Sequence, residues 1–476
     1  RRPIVMTLVA GVDSSTQSCK VVIRELETGT IVRSGRASHP DGTEADPEAW
    51  WNALQLAVRN AGGLGDVAAV GIGGQQHGMV CLDVAGNVVR PALLWNDTRS
   101  AAAASDLVSE LGAQTWAQAV GSVPVAAFTV SKLRWLARHE PMAMAKTAAV
   151  CLPHDWLTWK LIGGGLQTLA TDRGDASGTG YWSPATNEYR LDLLELAVGR
   201  GDLHLPTVLA PDALAGRTVE SGAIPAGLVV SVGTGDNMAA ALGLDARIGD
   251  VIMSVGTSGV VSVISATPTA DASGQVAGFA DATGQFLPLV CTLNAGQVLD
   301  AVRKLLGIDF ADFDALAATA LPTDDALTLL PFLAGERTPN RPNARGILSG
   351  ISLSNLTPAG LARATVESIA CGLADGLRAI EDCGVEPGRI LLVGGGANLS
   401  SLQHCLSAVI ETPVIIPTPG EYVAEGVAAQ SAWALTGGRP SWNEGLRSTI
   451  TAEAAPDIYA NYSALRDQTG PDAWPQ

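Results

Sequence analysis

Two runs of small polar residues stand directly after apolar stretches, and both have the chemistry of an oxyanion site. They are DSSTQSCK (Asp13–Lys20) and SVGTSG (Ser254–Gly259). Where glycine, serine and threonine follow a strand, the backbone can bend so that successive N–H groups converge on a phosphate, and hydroxyls add donors. Taken singly, either run equally fits an ordinary hairpin turn. As a pair, each near the head of one half, they favour a phosphate chain held by both halves. Between them lies GTGDN (Gly233–Asn237), which places Asp236 before the small-residue run Met238–Gly243. Such a carboxylate can take the proton from an attacking hydroxyl, which is worth roughly 10²–10⁴-fold, or it can cap a helix. Asp13 ends the first apolar stretch. It suits a magnesium ion, which takes one or two carboxylates plus phosphate oxygens, or a turn in which it bonds its own backbone. GQQHGM (Gly74–Met79) sets Gln76 and His77 between glycines that let a ligand approach closely. Its mixed donors and acceptors suit a polyol, although a lone histidine serves structural ends as readily.

Other nucleotide and metal chemistries are absent. None of the five lysines follows a glycine, so there is no Walker loop, and no GxGxxG opens a helix after the first strand. The six histidines form no HExxH, and the seven cysteines are scattered without a CxxC pair. Neither a zinc site nor a disulfide framework is indicated, and a reducing cytoplasm is the expected setting. A formal charge of −17 argues against nucleic acid or an anionic membrane as partner. The opening run Ile4–Val12 is too short for a membrane span and reads as a buried strand. Met6 is the expected natural start, with Arg1–Val5 left over from upstream.

The elements that must position these residues can be traced along the chain. With 476 residues, 47% of them hydrophobic, the chain exceeds one compact core. After Ile4–Val12, strands are expected at Lys20–Arg24 and Thr30–Ala37. Asp46 before Pro47 then reads as an N-cap and first helical residue, and Trp50, Trp51, Leu54 and Val58 give that helix its apolar stripe. Val67–Ile72, Met79–Asp83 and Val88–Leu94 return to strand character. In the second half, strand Asp250–Val255, a small-residue turn and strand Val260–Ile264 repeat the order of Leu8–Ile23, which implies two related domains. The boundary is placed near Leu244. Ala359–Asp382 reads as a long helix, followed by strand Arg389–Val393, a turn at Gly394-Gly395-Gly396, and a helix capped by Ser400 or Ser401. Strands and helices alternate throughout, so the fold class is α/β.

The motifs, in order, resemble those of the FGGY carbohydrate kinases across nearly the whole chain. DSSTQSCK resembles the first phosphate loop, with Ser15 where glycine is usual. GQQHGM resembles the substrate loop of the members acting on D-xylulose, and LWNDTR (Leu94–Arg99) the next segment. FTVSKLRWL (Phe128–Leu136) is similar to the first signature, with Ala127 replacing the usual leading residue. GTGDN resembles the catalytic loop, and SVGTSG and GERTPN (Gly335–Asn340) lead to a degraded second signature within Gly346–Glu367, where Gly360 replaces a polar residue. VGGGAN (Val393–Asn398) resembles the adenosine-binding turn. The three departures remove no group that does chemistry.

The resemblance implies two ribonuclease-H-like domains of the actin, hexokinase and Hsp70 ATPase type with a cleft between them, 1–244 and 245–476. The activity implied is Mg²⁺- and ATP-dependent phosphorylation of D-xylulose to its 5-phosphate in pentose catabolism. Another pentulose, pentitol or polyol is the near alternative, and a non-metabolic ATPase on the same fold the distant one. Asp236 is implied as the base, with Asp13 and Asp236 as carboxylates toward Mg²⁺. Gln76, His77, Asp236, Asn237 and Asp97 are implied as sugar contacts, although Asp97 also fits the N-cap of a helix over Thr98–Leu111. Ser15, Thr16, Gly256, Thr257 and Ser258 would face the phosphates, and Gly394, Gly395, Gly396 and Asn398 the adenosine. Trp95 fits a wall of the sugar site or, the favoured reading, core, and Glu336 with Arg337 is read as an ion pair bracing the cleft. A homodimer is expected from the resemblance alone.

Overall fold

Every residue of the strand Leu8–Ser14 is buried, because both faces of the sheet it belongs to are covered. Leu8, Ala10 and Val12 pack with Trp50, Leu54 and Val58 of the helix Pro47–Asn60. Val9 points the other way, into a cluster with Ala69, Ala432 and Ala434, the last two from the helix Tyr422–Thr436. A strand sandwiched in this way reads as a continuous apolar run rather than an alternating one. The computed structural model describes residues 6–320, 327–442 and 448–470; Ile4 and Val5 lie outside it, as do the other expectations for residues 1–5.

The chain forms two units. The first comprises Arg1–Ala246, Ala266–Leu287 and Gly420–Glu444, and the second Arg247–Ser265, Pro288–Pro419 and Gly445–Gln476. In the first, the strand order is Leu214–Arg217, Val229–Ser231, Val67–Gly74, Leu8–Ser14, Ser18–Glu25, Ile31–Ser38. Leu8–Ser14 runs antiparallel to Ser18–Glu25 and parallel to Val67–Gly74. The short strand Thr234–Gly235 also runs parallel to Val67–Gly74, at its carboxyl end. The Asp46 carboxylate accepts from Glu48 N and Pro47 takes the first turn, as the cap signal implied.

The helix Tyr422–Thr436 crosses this sheet and the helix Asp236–Gly243 at close range. A Cβ on Gly426 would lie 1.9 Å from the Ala239 carbonyl oxygen, so only glycine permits that approach. Its Gln430 amide bonds the backbone of Gly233 in both directions, accepting from N and donating to O, each at 3.0 Å. The segment leading into Asp236 is thereby tied to a helix nearly two hundred residues later in sequence.

The second unit repeats the opening hairpin. Val251–Val255 pairs antiparallel with Gly259–Val263 and parallel with Ile390–Val393. The long helix Pro358–Glu381 starts at Thr357, whose hydroxyl accepts from Gly360 N at 3.0 Å. The helix Ser400–Ile410 is not capped by its own serines. Its cap position is Leu399, and the Asp314 carboxylate accepts from Ser400 N and Ser401 N. An external carboxylate satisfies the free N–H groups that a side-chain cap would otherwise take.

Candidate active site

Parallel strands that end in register deliver their following loops to one edge of a sheet. Asp13 and Ser14 lie opposite Gly73 and Gly74, and Thr234 and Gly235 lie opposite the same two glycines. The Asp13 loop, the Gln75-Gln76-His77 loop and Asp236 therefore emerge side by side. One hydrogen bond joins the last two directly: Asn237 Nδ2 donates to Gln76 Oε1 at 2.8 Å.

Asp236 is the first residue of the helix Asp236–Gly243, and Gly235 occupies the cap position. Its Oδ1 accepts from Asn237 N at 2.8 Å, a favourable place for a carboxylate near the positive end of a helix. The helix-capping alternative for Asp236 thus gives way to a first-turn position. Burial, reinforced by the charge of Asp13, pushes the Asp236 carboxyl up to about 7. Asp13 is 4% exposed and lies 3.7 Å from the Lys20 ammonium, and its Oδ1 accepts from the Ser15 hydroxyl. Burial still raises its carboxyl above the usual range. Lys20 is also held by Glu421 at 2.5 Å. A buried carboxylate, Asp13, and a half-buried one, Asp236, lie within each other's field, with the Lys20 ammonium beside Asp13, a donor set suited to a hard divalent cation.

His77 adopts a left-handed backbone with φ of 67°. Its Nδ1 lies 2.8 Å from the Gly178 carbonyl oxygen, and its ring packs against Phe128 and Phe279 with centroids at 4.9 and 5.5 Å. These contacts fix the imidazole plane. Gln76 is buried with its Nε2 lacking a protein partner, and neither polar atom of buried Gln75 has one. Buried amides without partners are expensive, and this loop presents two donors and an acceptor that no described residue uses.

Several expected positions are placed differently. Asp97 lies three residues before Ser100, the cap position of the helix Ala101–Leu111, and so does not cap it. It accepts instead from Thr43 Oγ1 at 2.8 Å and from Arg99 N and Nε. Burial opposes its charge, but these bonds outweigh it and hold the carboxyl below the usual value. Trp95 is not core: it is 41% exposed, and its indole N–H donates to Thr16 Oγ1 at 2.8 Å, bracing the turn that follows Asp13. Glu336 forms no ion pair with Arg337. Its carboxylate, 3% exposed, accepts from Thr292 Oγ1, Leu293 N, Asn294 Nδ2 and the Arg337 backbone N–H.

In the second unit, Gly256 and Thr257 are exposed and Ser258 is half-buried at the tip of the hairpin. Gly256 O and Thr257 O accept from Gly296 N and Gln297 N, at the start of the helix Gly296–Leu306, which pins the turn. Gly394 has φ of 92°, and a Cβ there would meet the Val255 carbonyl at 2.7 Å. Gly394, Gly395 and Asn398 are exposed and Gly396 is half-buried after the strand Ile390–Val393.

A group that sequence reasoning missed lies behind Asp236: His154, Asp155, Asp172 and Asp175, all at most 2% exposed. The adjacent polar pair His154-Asp155 in the mostly apolar run PHDWLTWKLI was its sequence signal.

A two-unit α/β fold with repeated opening hairpins and glycine-bearing loops at the carboxyl ends of parallel strands is that of the ribonuclease-H-like sugar kinases. Residues 8–243 match the FGGY family of carbohydrate kinases, N-terminal domain, and residues 251–435 its C-terminal domain. The chain belongs to the FGGY family of carbohydrate kinases. It is 46% identical over 443 residues to the xylulose kinase of Streptomyces rubiginosus, covering 91% of this chain and 89% of that protein. The xylulose kinase of Streptomyces coelicolor is 45% identical over 439 residues, with 90% and 88% covered. The crystal structure of xylulose kinase from Bifidobacterium adolescentis superposes with a TM-score of 0.91 at 44% identity, covering 97% of this chain and 100% of that one. Membership of a kinase family implies ATP as phosphoryl donor. No helix among the described residues is long and apolar enough to cross a membrane.

Proposed function

We propose that this sugar kinase phosphorylates D-xylulose, giving D-xylulose 5-phosphate and ADP. The observation that carries the reading is the Gln76–Asn237 hydrogen bond, which sets a polyol-type loop against the loop bearing Asp236. The xylulose kinases that the chain resembles support the choice of sugar.

In the proposed reaction the sugar hydroxyl oxygen forms a bond to the γ-phosphorus of ATP. The bond from that phosphorus to the bridging oxygen breaks, ADP leaves, and the hydroxyl proton passes to Asp236. A carboxyl lifted to about 7 is a stronger base than an ordinary aspartate while remaining substantially ionised near neutrality. Gln76, His77 and Asn237 orient the sugar, whereas Asp97, already satisfied by Thr43 and Arg99, acts by holding its own segment. Ser15 and Thr16 with Gly256, Thr257 and Ser258 serve the phosphates, and Gly394, Gly395, Gly396 and Asn398 the adenosine. Asp13, beside Asp236, would hold Mg²⁺. Mg²⁺ when bound neutralises charge on the phosphate oxygens.

The domains are proposed as 1–244 for sugar and base and 245–476 for nucleotide, in the cytoplasm, where seven free cysteines persist as thiols. Coupled detection of ADP across D-xylulose, other pentuloses, pentitols and glycerol tests the substrate. D-xylulose should give the highest kcat/KM, and a different preferred sugar refutes the choice.

A further inference from the structure

The buried group behind Asp236 has a structure of its own. His154 follows the strand Ala149–Cys151 on the helix Pro153–Ile162, and it is fully buried. Its Nδ1 is hydrogen-bonded to Asp175 Oδ2. Its Nε2 lies 3.3 Å from Asp155 Oδ1 and 3.9 Å from Asp172 Oδ1. Three carboxylates thus surround one imidazole, with no other cation in contact among the described residues. Asp155 is committed to its helix start, accepting from Leu152 N at 2.8 Å. Asp172 accepts from Gly174 N and Asp175 N at the start of the helix Arg173–Ser177.

This group abuts the base-bearing segment at Gly233, Thr234 and Gly235. Thr234 Oγ1 donates to Asp172 Oδ2 at 2.6 Å. A Cβ on Gly233 would lie 2.7 Å from His154 Cδ2, and one on Gly235 would lie 2.9 Å from Asp175 Oδ1. A Cβ on Gly74, at the end of the neighbouring strand, would lie 2.8 Å from His154 Cβ. The glycines of GTGDN are therefore demanded by contact with the cluster as much as by backbone shape. Asp175 Oδ1 has no hydrogen-bond partner among the described residues, so the His154 imidazole at Oδ2 is the side chain that this carboxylate is bonded to.

We propose that His154, as a buried cation among Asp155, Asp172 and Asp175, is a positioning residue that holds Thr234–Asp236 in the geometry from which the Asp236 carboxylate works. The inference rests on the reading of Asp236 as the base. Burial alone would pull the imidazole down, but the charges of Asp155, Asp175 and Asp172 and the bond to Asp175 push it up to about 10, so it stays charged at neutral pH. Burial already raises the Asp155 and Asp175 carboxyls, and without that charge they lose the attraction that offsets it. Asp172 and Asp175 then shift, and the shift passes through the Thr234 hydroxyl and the Gly235 contact to the residue that follows.

The full-length enzyme with His154→Gln, which removes the charge, and His154→Lys, which retains a cation, provides the test. Misplacement of a reacting group by about 1 Å costs up to about 10²-fold. His154→Gln should lower kcat by about tenfold or more, while KM for D-xylulose and for ATP changes less than about threefold. His154→Lys should recover kcat to within about threefold of the parent. Because His154 is fully buried, Thr234→Val supplies an independent arm: it removes only the hydroxyl link to Asp172 and should lower kcat with little change in melting temperature. Equal losses in His154→Gln and His154→Lys would overturn the proposal. So would full kcat in Thr234→Val, or a His154→Gln protein that melts early yet turns over normally. Full activity in Asp236→Asn would instead mark failure of the base reading itself.

Discussion

Replacing Asp236 with asparagine separates what the carboxylate does for the reaction from what it does to the fold. Asparagine keeps an oxygen that can accept from Asn237 N, now at 2.8 Å, so the first turn of the helix survives. It cannot take a proton. Loss of general-base help should lower kcat by about 10²–10⁴-fold, about 3–5 kcal/mol in the barrier, with ATP binding retained. Stability should move the other way. The Asp236 carboxyl is raised to about 7 by burial and then by the charge of Asp13. Relative to an ordinary aspartate this is roughly three pH units at about 1.4 kcal/mol each, an upper limit near 4 kcal/mol.

Partial solvent screening reduces that limit, so about 1–2 kcal/mol is expected, or a few degrees in melting temperature for a unit of this size. The sign follows from linkage. A carboxyl raised in the folded state contributes its stability below the unfolded value near 4 and loses it as pH rises through about 7. The advantage of Asp236→Asn should therefore be small near pH 4, grow between about 4 and 7, and level off above. Coupled ADP release measures the first effect and calorimetry at several pH values the second. Turnover within tenfold of the parent refutes the base assignment, and a variant that melts earlier than the parent at pH 8 refutes the electrostatic argument.

Other consequences follow from the same geometry. Because the base must be ionised, kcat/KM for the sugar should fall as pH drops through about 7; a profile flat to pH 5 would contradict this. Gln76→Ala removes the acceptor for Asn237 and the partnerless amide beside it, and should raise KM for D-xylulose by about tenfold or more while leaving KM for ATP nearly unchanged. Gly426→Ala inserts a methyl where the Ala239 carbonyl would lie at 1.9 Å. It should cost about 1–3 kcal/mol in denaturant unfolding and lower kcat, because the helix carrying Asp236 must move.

The proposed site rests largely on local pattern. The small-residue turns after apolar strands, the loop around His77 and the carboxylate in GTGDN are signals confined to a few adjacent residues, and backbone chemistry gives each its meaning. The paired hairpins Leu8–Glu25 and Val251–Val263 were legible for the same reason, since strand, turn and strand are contiguous. Side-chain partners were not legible in this way. Trp95 looked like core because tryptophan usually is, and only the fold shows its N–H bound to Thr16 at an exposed position. Glu336 looked like half of an ion pair with its neighbour, yet its partners come from 292–294 and the backbone N–H of Arg337.

The chemical types that the sequence offers, two turns suited to phosphate, a loop suited to a polyol and a carboxylate suited to act as a base, depend on residue identity and backbone freedom over short spans. Which of those groups meet, and at what charge, was decided by tertiary structure. The Asp13–Asp236 repulsion, the Gln76–Asn237 bond and the His154 cluster join segments tens to hundreds of residues apart. Their energies depend on distance and on exclusion of water, and a linear sequence specifies neither.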